Sequence, residues 1–158
     1  MAALCVRSYI SAMIARFFTA LMGPAPARLP LEDERLALAA LLVRVARSDS
    51  HYDDDELAHI DRVLRERYAL SPFEATALRA RAEVLERDAP DTVRFTRALK
   101  ETVPHDDRVA LIAALWSVAL SDGERGAEED ALIRMVANLL GITDRDSALA
   151  RQQVDRAP

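Results

Sequence analysis

Residues 119–133 read Ala119-Leu120-Ser121-Asp122-Gly123-Glu124-Arg125-Gly126-Ala127-Glu128-Glu129-Asp130-Ala131-Leu132-Ile133. Residues 46–60 read Ala46-Arg47-Ser48-Asp49-Ser50-His51-Tyr52-Asp53-Asp54-Asp55-Glu56-Leu57-Ala58-His59-Ile60. Laid over each other without a gap, Asp49 meets Asp122, Asp55 meets Glu128, Glu56 meets Glu129 and Ile60 meets Ile133. Upstream, Leu42 meets Leu115 and Val45 meets Val118. In both copies an apolar helix ends at Ser-Asp, a short acidic loop follows, and a new helix opens with Glu seven residues after the Asp. A shared register over about twenty residues marks an internal duplication. Specific function is expected in those two loops.

Working outward, Glu32-Asp33-Glu34 place acids at a helix N-terminus, where the dipole favours them. The following run, Leu36 to Val43, is apolar on nearly every side, which predicts a buried helix. Asp53 with Glu56 three residues later forms a capping-box pattern, and Leu57, Ile60, Val63 and Leu64 give the next helix its inward face. Ser71-Pro72-Phe73-Glu74 restarts the chain, with Leu78, Val84 and Leu85 on the apolar side of a third helix. Asp88-Ala89-Pro90 leads to a fourth, with Val93, Phe95, Ala98 and Leu99 available for burial. After the break at Pro104-His105-Asp106-Asp107, residues 109–120 repeat the buried helix, and Trp116, the only tryptophan, anchors it. Gly123 suits a left-handed helix end. A helix over 127–140, the restart Gly141-Ile142-Thr143-Asp144 and a last helix near 144–153 complete the chain. The restart follows the acidic loop one residue sooner than Ser71 does in the first copy. The expected fold is all-α: a duplicated bundle of seven or eight helices with two buried central helices.

Composition agrees. With 158 residues, half of them apolar and 30% charged, the chain is one globular domain dominated by helix-forming residues. A net charge of −5 without a basic stripe argues against nucleic acid. Cys5 stands alone, so no disulfide or thiolate metal site can form within one chain, and a cytoplasmic location fits.

Residues 1–31 stand apart as an amphipathic segment and a linker holding Pro24, Pro26 and Pro30, before a domain over 32–154 and a tail over 155–158. Arg16 interrupts the apolar run of 8–22, which makes it a poor membrane span and a poor signal peptide. Ile10, Ile14, Phe17, Phe18 and Leu21 share one helical face, so residues 1–22 are expected to form an amphipathic helix that docks on the domain or frays, or to touch a membrane surface peripherally. The residues before Met13 read as dispensable, so Met13 is expected as an alternative start.

Three phrases carry a family resemblance: Leu41-Leu42-Val43-Arg44-Val45-Ala46-Arg47-Ser48-Asp49, Phe95-Thr96-Arg97-Ala98-Leu99-Lys100, and Leu115-Trp116-Ser117-Val118-Ala119-Leu120-Ser121-Asp122-Gly123-Glu124. Over about residues 32–154 the chain resembles the TerB family of tellurite-resistance-type proteins. The resemblance implies a duplicated helical fold and a stress-response module with a divalent-metal site made by acids of both repeats. By position, the family's acids fall on Asp49, Glu56, Asp122 and Glu129. The first copy departs from the family by placing Ser50 where a glycine is usual, which implies loops of unlike geometry.

Carboxylate oxygens suit hard cations, so Ca²⁺ or Mg²⁺ is favoured over Zn²⁺ at those four acids. The loops are not EF-hands, because the twelfth residue from Asp122 is Ile133 and not a glutamate. Capping alone accounts for Glu56 and Glu129. Asp49 and Asp122 instead follow helix C-termini, where the dipole disfavours anions, and that placement points to a ligand role. His59 shares a helical face with Asp55 and Glu56 and offers a nitrogen, although Leu132 replaces it in the second copy. His105 is expected to be exposed. No nucleophile setting, phosphate-binding glycine loop or HExxH helix is present, so no enzymatic activity is expected. The alternative is a metal-free helical adaptor that binds a protein partner, a second copy or, through residues 1–22, a membrane surface.

Overall fold

The computed structural model describes residues 31–48, 50, 52–88, 90–123 and 126–157. The amphipathic segment, Asp49 and His51 lie outside the described residues. Among the latter the chain forms seven helices and no strand. They are α1 (Leu31–Arg47), α2 (Asp54–Tyr68), α3 (Pro72–Asp88), α4 (Thr92–Thr102), α5 (His105–Ala119), α6 (Ala127–Leu140) and α7 (Asp144–Arg156).

The duplication orders the packing. Helix α3 packs on α1 as α7 packs on α5, and α2 touches α5 as α6 touches α1. Helix α4 bridges α1 and α6, and it has no counterpart among the described residues. Every residue from Ala37 to Val43 is buried, because α2, α3, α4, α5 and α6 all pack against α1. An uninterrupted Ala/Leu/Val run tolerates this, since it carries no polar side chain to desolvate. Helix α5 is less enclosed than expected. Leu111, Ile112, Leu115, Trp116, Val118 and Ala119 are buried, but Ala110 is exposed and Ala113 and Ala114 are only half-buried. The Trp116 indole N–H donates to the buried Ser147 hydroxyl at 3.2 Å, and the Arg151 guanidinium lies 5.6 Å from the ring centroid.

The helix ends follow local chemistry. Ser71 and Glu74 exchange side-chain bonds with each other's backbone N–H at 2.8 and 3.2 Å, with Pro72 in the first helical position. Helices α2 and α6 both close on a left-handed residue, Ala69 (φ 52°) and Gly141 (φ 76°), with the next N–H reaching back to Arg65 O and Ala137 O. At the start of α5, Arg108 donates to the carbonyls of Lys100, Val103 and Leu140, so one cation serves the ends of α4 and α6.

Two valines point outward against expectation. Val84 is 47% exposed and Val93 50%. The inward line of α3 is Ala75, Leu78, Ala82 and Leu85, and that of α4 is Thr92, Phe95, Thr96 and Leu99. Helical phase puts Val84 and Val93 off those lines. Helix α7 also runs past 153 to Arg156. No described helix is long and apolar enough to cross a membrane.

Candidate functional site

Both halves end their first helix with the same bonds. The N–H of Ser48 donates to Val45 O and that of Ser121 to Val118 O, each at 3.1 Å. Their hydroxyls donate to the same carbonyls at 2.7 and 2.8 Å. Two residues on, the N–H of Ser50 reaches Arg47 O and that of Gly123 reaches Leu120 O, each at 3.2 Å. Ser50 has φ 68° and Gly123 φ 77°. At these residues the two loops therefore begin alike, against the expectation of unlike geometry. Ser50 adopts the conformation of the glycine it replaces, because the surrounding bonds outweigh the strain its Cβ meets there.

The next helices begin alike as well. Asp53 Oδ1 accepts from the N–H groups of Asp55 and Glu56 at 3.1 and 3.0 Å, and Glu56 Oε2 accepts from the Asp53 N–H at 3.3 Å. In the second half Glu129 Oε2 accepts from the Gly126 N–H at 3.2 Å, and Gly126 has no side chain to return the bond. The approach is close enough that a Cβ on Gly126 would lie 2.8 Å from Glu129 Oε2.

Glu56 and Glu129 are 4% and 2% exposed. Capping does not require that. Glu74 makes the same return bond at the start of α3 while fully exposed, and the bonds from Ser71 hold its carboxyl below the usual range. Of the expected acids, Asp122 is exposed and Asp49 lies outside the described residues. Among the described residues, no three acid, histidine or cysteine side chains group closely enough to hold a metal ion.

The halves meet at one end of the bundle. His59, in the second turn of α2, has Nε2 3.3 Å from the hydroxyl of Ser117 in the last turn of α5. That contact brings the helix start bearing Glu56 to the helix end that precedes Asp122. Ser117 donates its own hydrogen to Ala114 O at 2.8 Å, so it accepts from His59, and Nδ1 is left to accept from Arg62. Both ring nitrogens are thus engaged by side chains of this chain. Burial, with Arg62 second, pushes its pKa down. His105 is exposed, with Nε2 3.2 Å from Gly141 O.

A polar lattice behind the first loop was not anticipated from sequence. The Tyr52 hydroxyl donates to Glu83 Oε1 at 2.7 Å, and the Arg47 guanidinium sits 5.0 Å from the Tyr52 ring centroid while pairing with Glu86 at 2.7 Å. Arg79 joins Glu83 at 2.5 Å to Asp61 at 2.6 Å. Burial and the Glu83 carboxylate push the Tyr52 phenol up, out of the range where it ionises. The Arg79–Glu83 spacing of four was the only local signal of this lattice.

No curated protein and no solved structure matches the chain. A family model described as tellurite resistance protein TerB matches residues 35–152, from the first turns of α1 into α7 and through both acidic loops. With the duplicated all-helical bundle and the paired Ser-Asp helix ends, this match establishes that the chain belongs to the TerB family.

Proposed function

We propose that the protein is a non-enzymatic, cytoplasmic stress-response module of the tellurite-resistance type whose acidic loops hold a hard divalent cation. Ca²⁺ or Mg²⁺ is favoured over Zn²⁺, with Asp49, Glu56, Asp122 and Glu129 as the donor set. The observation that carries this reading is the burial of Glu56 and Glu129 beside the full exposure of Glu74, which caps equally well. A buried carboxylate is costly unless compensated, and a shared cation is one means of compensating two of them. The His59–Ser117 contact, which brings the start of α2 to the end of α5, supports a shared site. In this reading the cation joins the halves and stiffens a face for a protein partner.

A second reading is the metal-free adaptor, meeting a partner, a second copy or a membrane surface. The exposed apolar side chains of Phe73 and Val84 on α3 favour it. Thermal unfolding of chelator-stripped protein, titrated with Ca²⁺, Mg²⁺, Mn²⁺ and Zn²⁺, separates the two. A cation that binds only the folded chain adds about 2.7 kcal/mol at 100 times its Kd. The expected result is a rise with Ca²⁺ or Mg²⁺ that the Asp49→Asn/Asp122→Asn variant lacks. No rise with any ion would leave the adaptor.

A further inference from the structure

Helix α3 carries an apolar line on the side away from the core. Phe73, Ala77, Ala80 and Val84 are all exposed, Phe73 by 82%. Their spacing of four, three and four is that of a coiled-coil seam, and it lies opposite the inward line Ala75, Leu78, Ala82 and Leu85. The fold does not require it. At the equivalent positions of α7 stand Arg145, Leu149, Gln152 and Arg156, mostly polar, on a helix that packs on α5 as α3 packs on α1.

Charges of both signs flank the seam. On one side stand Glu74 and Arg81, separated by two turns, or about 10 Å of helix, and so beyond the spacing of three or four at which side chains on one helix meet. On the other side Thr76 bonds to Asp61, and Glu83 is held by Tyr52 and Arg79. An anionic membrane or a nucleic acid calls for a basic face, which this is not. The face does fit itself under two-fold symmetry. An axis passing between the levels of Leu78 and Arg79 puts Phe73 opposite Val84 of a second copy, and Ala77 opposite Ala80. The same register sets Glu74 beside Arg81 of the second copy and Arg81 beside its Glu74. Crossing helices are closest at the midpoint and diverge outward, so alanine falls where the gap is narrow and Phe and Val where it widens. Beside Phe73, a groove of about 250 Å³ between Arg35, Leu70 and Arg81 gives the facing Val84 a concave seat.

We propose that two copies of this chain associate through α3, packed antiparallel on α3 of the second copy with reciprocal Glu74–Arg81 contacts. The proposal rests on the adaptor reading, whose occupant it names, and requires nothing of the acidic loops. One helix pair buries less than the about 1,600 Å² of a standard interface, so a Kd of about 10–100 μM is expected.

The test is sedimentation velocity of the full chain from about 5 to 500 μM, in a reductant that keeps Cys5 from joining two chains. The parent is expected to pass from monomer to dimer across that range. Ala77 is exposed, and Ala77→Glu is expected to weaken association by about tenfold or more. Glu74→Arg and Arg81→Glu each bring like charges together between identical copies, so each alone is expected to associate several-fold more weakly than the parent. Mixed in equal amounts, the two variants regain both opposite-charge contacts and are expected to dimerise. The mixture decides, because a lost Glu74 cap cannot create an association that neither variant shows alone. A parent that stays monomeric throughout would overturn the proposal while leaving the adaptor reading a different partner. So would an Ala77→Glu variant that associates like the parent, or a mixture no more associated than its components.

Discussion

Ser50 and Gly123, at equivalent positions of the two halves, share a left-handed backbone at φ 68° and 77° and donate equivalent hydrogen bonds of 3.2 Å. Only one of them is suited to it. A side chain in this region costs about 1 kcal/mol, and glycine gives part of that back through a freer unfolded chain. Ser50→Gly is therefore expected to stabilise the fold by about 0.5 kcal/mol, and Gly123→Ser to destabilise it by about 1 kcal/mol. Nothing lies within 4 Å of a Cβ built on Gly123, so the second value measures backbone strain alone. Urea unfolding of both variants checks the signs.

Gly126→Ala tests how tightly the second carboxylate is held. Its φ of −85° is ordinary, and at such a site alanine commonly stabilises by about 0.4–1 kcal/mol. Here the added Cβ would lie 2.8 Å from Glu129 Oε2, and a side chain 2% exposed has little room to retreat. The expected outcome is the opposite sign, a loss of about 1 kcal/mol in urea unfolding as the Gly126–Glu129 bond breaks. A stabilised variant would show that the carboxylate moves freely.

Most of the fold was readable because its signals are local. The buried run Ala37–Val43, the Asp53/Glu56 and Ser71/Glu74 caps and the repeated Ser-Asp helix ends each lie within a few residues of chain. Val84 and Val93 were misplaced because residue type was weighed without helical phase. Burial of Glu56 and Glu129 was illegible, since a capping pattern reads the same whether the acid faces solvent, as Glu74 does, or the interior. The bonds Tyr52–Glu83 and Asp61–Arg79 join different helices, and no sequence spacing encodes them. At Ser50 a missing glycine suggests a changed backbone, whereas the left-handed turn and its hydrogen bond match those at Gly123.

The lattice behind the first loop gives a contrast between two arginines. Arg79 is 12% exposed in its side chain and joins Asp61 and Glu83, themselves 19% and 24% exposed. Arg79→Met takes the shared cation away from two half-buried carboxylates, which keep only their bonds from Tyr52 and Thr76, at a cost of about 2 kcal/mol after allowance for partial solvation. Arg87 and Asp88 are 63% and 61% exposed, so Arg87→Met is expected to change stability by less than about 0.5 kcal/mol. Equal effects in chemical denaturation would mean that the Arg79 pairs are as hydrated as the surface one.

His59 should make stability fall in mild acid. Burial and Arg62 depress its pKa in the folded chain, whereas the unfolded chain takes up the proton near its ordinary value of about 6.5. The unfolded state therefore binds more protons as pH drops below about 6.5, and stability declines until the folded-state pKa is reached. Above that window the residue contributes no pH dependence. His59→Leu, which installs the residue found at the equivalent Leu132, strands no partner, because Ser117 still donates to Ala114 O. Unfolding free energies of the parent and the variant, measured between about pH 7.5 and 5, are expected to run parallel at the upper end and diverge below about 6.5, with the parent falling faster. Parallel curves throughout would mean that His59 titrates alike in the folded and unfolded chains, and would place its ring in solvent.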